Sequence, residues 1–181
     1  MNGDNSSAAG AKSAAETMND LRLGAARRRL ADSSGQEDAI EGLREIVANF
    51  LGSEEMGLFR FDRGTGTFQV YWSFGIDLEE YDLLRALGQA GLQRVMSGEC
   101  HVELGVREPL GAMDKAQAFV PISVADQTIA ILAILRLLPQ KVAFDKSDME
   151  LFKLLSDEAA TPLFGAASHV MPGTDGAGMP V

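Results

Sequence analysis

Few residues in this 181-residue chain have the types and spacing for chemistry. Cys100 stands beside His101, and it is the one cysteine of the chain. A lone cysteine is ordinarily a small buried hydrophobe. His101 and His169 are the two histidines, a poor basis for a histidine metal site, and no Ser/His/Asp arrangement is read around them. Asp77, Glu79, Glu80 and Asp82 could gather a cation, but a solvated acidic loop is the better explanation of them. Gly64-Thr65-Gly66 lacks the Lys-Ser/Thr and the following helix of a phosphate-binding loop. The residues therefore assign no catalytic group, no metal and no cofactor.

The elements that must position these residues are clearer. The stretch KAQAFVPISVADQTIAILAILRLLP (Lys115–Pro139) holds two apolar runs, Ala116–Val124 and Thr128–Leu138, around the polar connection Ala125-Asp126-Gln127. Ile129–Leu135 is apolar at both parities, the pattern of a strand covered on both faces. This predicts a long hairpin at the centre of a sheet. Residues 14–30 favour helix, with Met18, Leu21, Ala25 and Leu30 as a thin stripe that wants a partner. Residues 37–51 form a stronger amphipathic helix through Ile40, Leu43, Ile46, Val47, Phe50 and Leu51, with Gly52 placed to end it.

The period then changes. Residues 55–62 and 68–74 read as a hairpin about Arg63-Gly64-Thr65-Gly66, with Phe68, Val70, Trp72 and Phe74 on one face. Residues 81–96 read as helix and 99–103 as a short strand; residues 104–114 form a loop. Asp145 is a good N-cap, with Asp148 three residues on, for a closing helix to about Ala167 that Pro162 can kink. Met149, Phe152, Leu155 and Ala159 form its stripe. Antiparallel hairpins with helices gathered at the chain ends give an α+β domain. The division is a disordered tail at 1–13, a helical extension at 14–34, one domain at 35–168 and a disordered tail at 169–181.

Net charge is −10, which opposes binding to nucleic acid or an anionic membrane surface. The local exception, Arg27-Arg28-Arg29 with Arg22 a turn earlier, reads as a solvated helix face or a protein contact. A single cysteine fits a reducing compartment. The N-terminus has no apolar h-region, and no segment approaches the roughly 18 apolar residues of a membrane helix. The expected location is cytoplasmic.

Residues 37–167 resemble a GAF domain. The resemblance rests on order: an amphipathic helix, the hairpin EMGLFRFDRGTGTFQVYWSFGI, the helix-to-strand step GLQRVMSGECHVE, the hairpin AFVPISVADQTIAILAI, and the closing VAFDKSDMELFKLLSDEAATPL. It implies an antiparallel sheet of about six strands, terminal helices packed on one face, and a ligand pocket between the other face and the 81–114 segment. Flanking helices in this family often build a parallel dimer. Family position would line the pocket with Trp72, Phe74, His101, Glu103, Arg107, Asp114 and Phe119, though Trp72 and Phe74 could instead fill the core. Cys100-His101 resembles the chromophore-bearing pair of some members but lies earlier in the chain. Methionine-sulfoxide reduction needs several cysteines. The cyclic-nucleotide pattern is matched at Phe144-Asp145-Lys146 but not ahead of it.

The expected function is a non-catalytic regulatory module that forms a homodimer and acts through a protein partner. Met18, Leu21, Ala25, Leu30, Ile40, Leu43, Phe152 and Leu155 are its candidate helix-contact residues. A small-molecule sensor, for a nucleotide or metabolite, is the second reading.

Overall fold

A computed structural model describes residues 13–79, 81–102 and 117–165. At its centre is β5 (Gln127–Leu137). Ala125 and Asp126, at φ 48° and 62°, turn the chain into it from β4 (Ala118–Val124). Two successive left-handed residues make a turn whose twist matches that of the strands it joins. β1 (Ser53–Asp62) lies on the far side of β5, and β2 (Thr67–Phe74) pairs with β1. The two-residue β3 (His101–Val102) pairs with β4. The sheet is antiparallel in the order β2-β1-β5-β4-β3. It has the expected α+β architecture, but with five strands among the described residues rather than about six.

α1 (Ala14–Ala31) starts at Ser13, whose hydroxyl and backbone exchange hydrogen bonds with Glu16 in a capping box. Both expected tails otherwise lie outside the described residues. α2 (Gln36–Ile46) runs into a π-helical turn, Val47–Leu51, and ends at the left-handed Gly52. α3 (Leu83–Met96) is interrupted at Gly88. The closing helix is two helices, α4 (Lys146–Glu158) and α5 (Ala160–Phe164). Pro162 explains the break, because its ring would meet the carbonyl of Glu158 four residues back.

The two parities of the central strands divide two cores. Met56 and Leu58 of β1, Val120 and Ile122 of β4, and Leu132 and Ile134 of β5 face α1, α2, α4 and α5. Phe59, Phe119, Ile131 and Ala133 face α3 and the approach to it through Leu78. Terminal helices on one face, and the segment from Tyr81 on the other, is the layering that the sequence predicts. Each fully buried Leu or Ile contributes about 1.5–3 kcal/mol relative to exposure, so this double burial makes β5 the strand on which the fold depends.

One expectation about β2 fails. Leu58 pairs with Trp72 but Phe59 pairs with Val70, so Tyr71 is an extra residue in the ladder. That bulge reverses the parity of β2 halfway along. Phe68 packs with the α3-side core, whereas Tyr71, Trp72 and Phe74 pack with the helix-side core. The single aromatic face proposed for Phe68, Val70, Trp72 and Phe74 does not exist.

Candidate functional site

The expected pocket residues separate. His101 and Phe119 are directly paired across β3 and β4, with ring centroids 6.1 Å apart. They lie beneath α3: a Cβ on Gly91 would come 3.4 Å from the His101 ring. Trp72 and Phe74 lie on the opposite face of the sheet, stacked at 6.2 Å, with the Arg44 guanidinium of α2 over the Phe74 ring at 4.9 Å. The bulge at Tyr71 put them there, and they fill the helix-side core. Glu103, Arg107 and Asp114 lie outside the described residues. Over Phe59, Phe119 and Ile131 the described part of the α3 side is packed by Leu78, Leu83, Leu87 and Val95. The Thr128 hydroxyl, donating to the Val95 carbonyl at 2.8 Å, ties α3 to β5.

The acidic loop has a structural use. Asp77 accepts the Glu79 amide at 2.9 Å, and Asp82 caps α3 by accepting the Arg85 amide at 3.0 Å. Among the described residues no cluster of His, Cys, Asp and Glu could hold a metal ion.

Cys100 packs against the helix-side core. Burial pushes its thiol up to about 11, and Asp157 adds to the shift. The neutral thiol is thus the form that the fold stabilises. Its contribution is complete below the ordinary thiol value of 9.0 and is lost as pH rises towards about 11. We expect urea midpoints of the wild-type protein to fall across that window, and those of Cys100→Ala to fall less. Equal slopes for the two proteins would contradict it.

The other candidate face is α1. Arg22 reaches into the body of the protein. It donates to the buried Asp148 carboxylate at 2.6 Å, to the Phe50 carbonyl at 2.7 Å and to the Ser147 hydroxyl at 2.8 Å. Asp148 also binds Lys141, at 2.7 Å, and accepts the Asp145 amide at 2.9 Å. One carboxylate thus seats two cations and completes the capping box of α4. Arg27 pairs with Glu158, and Arg29 with Asp38 and Glu45. The arginine run is therefore neither purely solvated nor free for a partner: Arg27 and Arg29 bind α1 to its own domain, and Arg28 stays exposed.

These contacts decide which helix residues are available outside. Leu30, Leu43, Phe152 and Leu155 are buried in the helix-side core, so their proposed role as contact residues is corrected. Their faces of α1, α2 and α4 are the faces that cover the sheet. Ile40 and Ala25 are half-buried. Met18 and Leu21 are 67 % and 62 % exposed on the outer side of α1. Beside Met18 a shallow groove of about 440 Å³ opens between α1 and the start of α4, lined by Ala15, Asn19, Arg22, Asp145, Lys146 and Ser147.

With this geometry in hand, solved structures offer a comparison. The chain is similar to the GAF domain of a phosphoenolpyruvate-protein phosphotransferase from Coxiella burnetii, at TM-score 0.58 and 20 % identity, over 83 % of this chain and 96 % of that one. The fold is that of a GAF domain. A second GAF domain, from the Acinetobacter phosphoenolpyruvate-protein phosphotransferase, matches at TM-score 0.51 and 16 % identity, over 87 % and 98 % of the two chains. Residues 122 to 287 of a methyl-accepting chemotaxis protein match at 0.53 and 16 %, over 76 % and 94 %. No protein-family model and no curated protein matches the sequence. Among the described residues, no helix of this GAF fold is long and apolar enough to cross a membrane.

The ion seat at Asp148 was not foreseen from sequence. Its partners Arg22 and Lys141 lie 126 and 7 residues away. The capping pattern marked Asp148, but nothing local marked its second task.

Proposed function

We infer that this chain is a non-catalytic regulatory module with a GAF fold, which pairs with itself and transmits its state to a protein partner through α1. One observation carries the reading: two large apolar residues, Met18 and Leu21, stand exposed on a helix that three ion-paired arginines tie to the domain. Exposing them costs solvation that burial in an interface recovers. The comparison structures, from phosphotransferases and a chemotaxis protein, support a signalling setting. Burial raises the Cys100 thiol and so disfavours the thiolate that nucleophilic catalysis by this residue would need. The net charge of −10 supports a protein partner over nucleic acid or an anionic membrane.

We expect light scattering at micromolar concentration to return twice the 19.4 kDa chain mass, and the double variant Met18→Asp/Leu21→Asp to return 19.4 kDa. A wild-type monomer would overturn the self-pairing.

The second reading, a nucleotide or metabolite sensor, draws on the His101–Phe119 pair at the end of the α3 side, where the chain enters residues 103–116. Native mass spectrometry of freshly purified protein tests it, since a retained ligand adds its mass to the chain.

A further inference from the structure

The outward stripe of α1 is Ala14, Met18, Leu21 and Ala25, with Arg28 at the next position of the same stripe. Its spacings are four, three, four and three, the alternation of a two-helix seam. The four apolar residues form a palindrome: alanines at the ends and large side chains in the middle, symmetric about a point between Asn19 and Asp20. The opposite side of the helix carries Leu23, Ala26 and Leu30 against the helix-side core, so Met18 and Leu21 look outward, with Met18 edging the groove beside α4 and Ala25 half-buried.

We propose that α1 binds α1 of a second copy of this chain in antiparallel orientation, with Met18 against the partner's Leu21 and Ala14 against the partner's Ala25. This rests on the self-pairing reading above and adds its geometry.

Charge selects the orientation. In a parallel seam the layer after Ala25 brings the two Arg28 guanidiniums together, and like charges in facing positions oppose association. In the antiparallel seam the two Arg28 residues lie roughly 25 Å apart, each beyond the first helical turn of the other copy. The helix is also acidic in its first turn, at Glu16, and basic in its last, at Arg28 and Arg29. Antiparallel pairing lays unlike ends, and opposed helix dipoles, side by side. The alanines at both ends of the stripe let the axes approach closely where Met18 and Leu21 interdigitate at the centre.

The test uses the full chain carrying Cys100→Ala and Ala31→Cys, spin-labelled at the exposed residue 31 and measured by pulsed dipolar spectroscopy. The antiparallel seam puts the two labels roughly 35 Å apart, from the rise per residue. A dimer with labels closer than about 20 Å would be parallel; it would overturn this proposal and leave the self-pairing reading intact. A monomer by light scattering would overturn both. A dimer that survives Met18→Asp/Leu21→Asp would place the contact elsewhere and overturn the α1 seam. Replacing Arg28 by leucine should add a second, short-distance population, because the barrier to parallel pairing is removed. An unchanged distance distribution in Arg28→Leu would overturn Arg28 as the orienting group.

Discussion

Asp148→Asn is expected to destabilise the protein by ~3–5 kcal/mol, the cost of stripping the partner from buried charge. The Asp148 side chain is fully buried, and Arg22 and Lys141 at its oxygens are only 16 % and 20 % exposed. Removing the negative charge leaves two cations facing a neutral amide, and weakens the capping box that starts α4. The opposite deletion should be milder. In Arg22→Met the carboxylate keeps Lys141 and the Asp145 amide, so the seat remains a neutral, hydrogen-bonded pair. Thermal unfolding followed by circular dichroism checks both: a fall of roughly 10 °C for Asp148→Asn, and clearly less for Arg22→Met. Equal losses would show that the two cations do not share the carboxylate as the geometry indicates.

Gly75→Ala is the second large effect. Gly75 sits at φ +74° where the chain leaves β2 for the α3 side. A Cβ there would lie 1.9 Å from the Glu54 carbonyl oxygen and 2.9 Å from its carbon. Both are backbone atoms of β1, so no rotamer change relieves the contact, and the alanine must also adopt a left-handed conformation. We expect a loss of about 3 kcal/mol or more, since strain and displaced backbone add. Gly66→Ala is the control. Gly66 has a similar φ of +69° with nothing near its missing Cβ, and should lose only the ~1–2 kcal/mol of the conformation itself. Urea unfolding read by the fluorescence of Trp72, the one tryptophan, separates the two. Similar midpoints for both variants would remove the clash from the account.

The legible part of this molecule was the part written in local pattern. Apolar residues at both parities of Ile129–Leu135 placed β5 at the centre, covered on both faces. Asp145 and Asp148 announced the start of α4, and Gly52 the end of the helix before β1. Order and pattern together also carried the GAF resemblance. Period alone did not reveal the bulge at Tyr71, because an extra residue leaves the sequence alternation unbroken while the partner strand slips by one. That single residue moved Trp72 and Phe74 from the expected pocket to the far face. Nor could an amphipathic stripe say which of its residues meets the sheet and which meets solvent. Leu30 and Leu21 looked equivalent in sequence, yet one is 2 % exposed and the other 62 %. The three-way seat at Asp148 depends on residues brought together only by the folded chain.

The slip at Tyr71 also shapes the open margin of the sheet. Among the described residues β2 is the outermost strand beside β1, and an outer strand offers unpaired amides and carbonyls on which a further strand can grow. An inserted residue kinks and over-twists such a margin, so another chain cannot zip along it in continuous register. Open-ended polymerisation through stacked strands, the route to cross-β fibres, is discouraged on that side. The self-pairing proposed through α1 would use helix side chains instead, a contact that closes on one partner and stops.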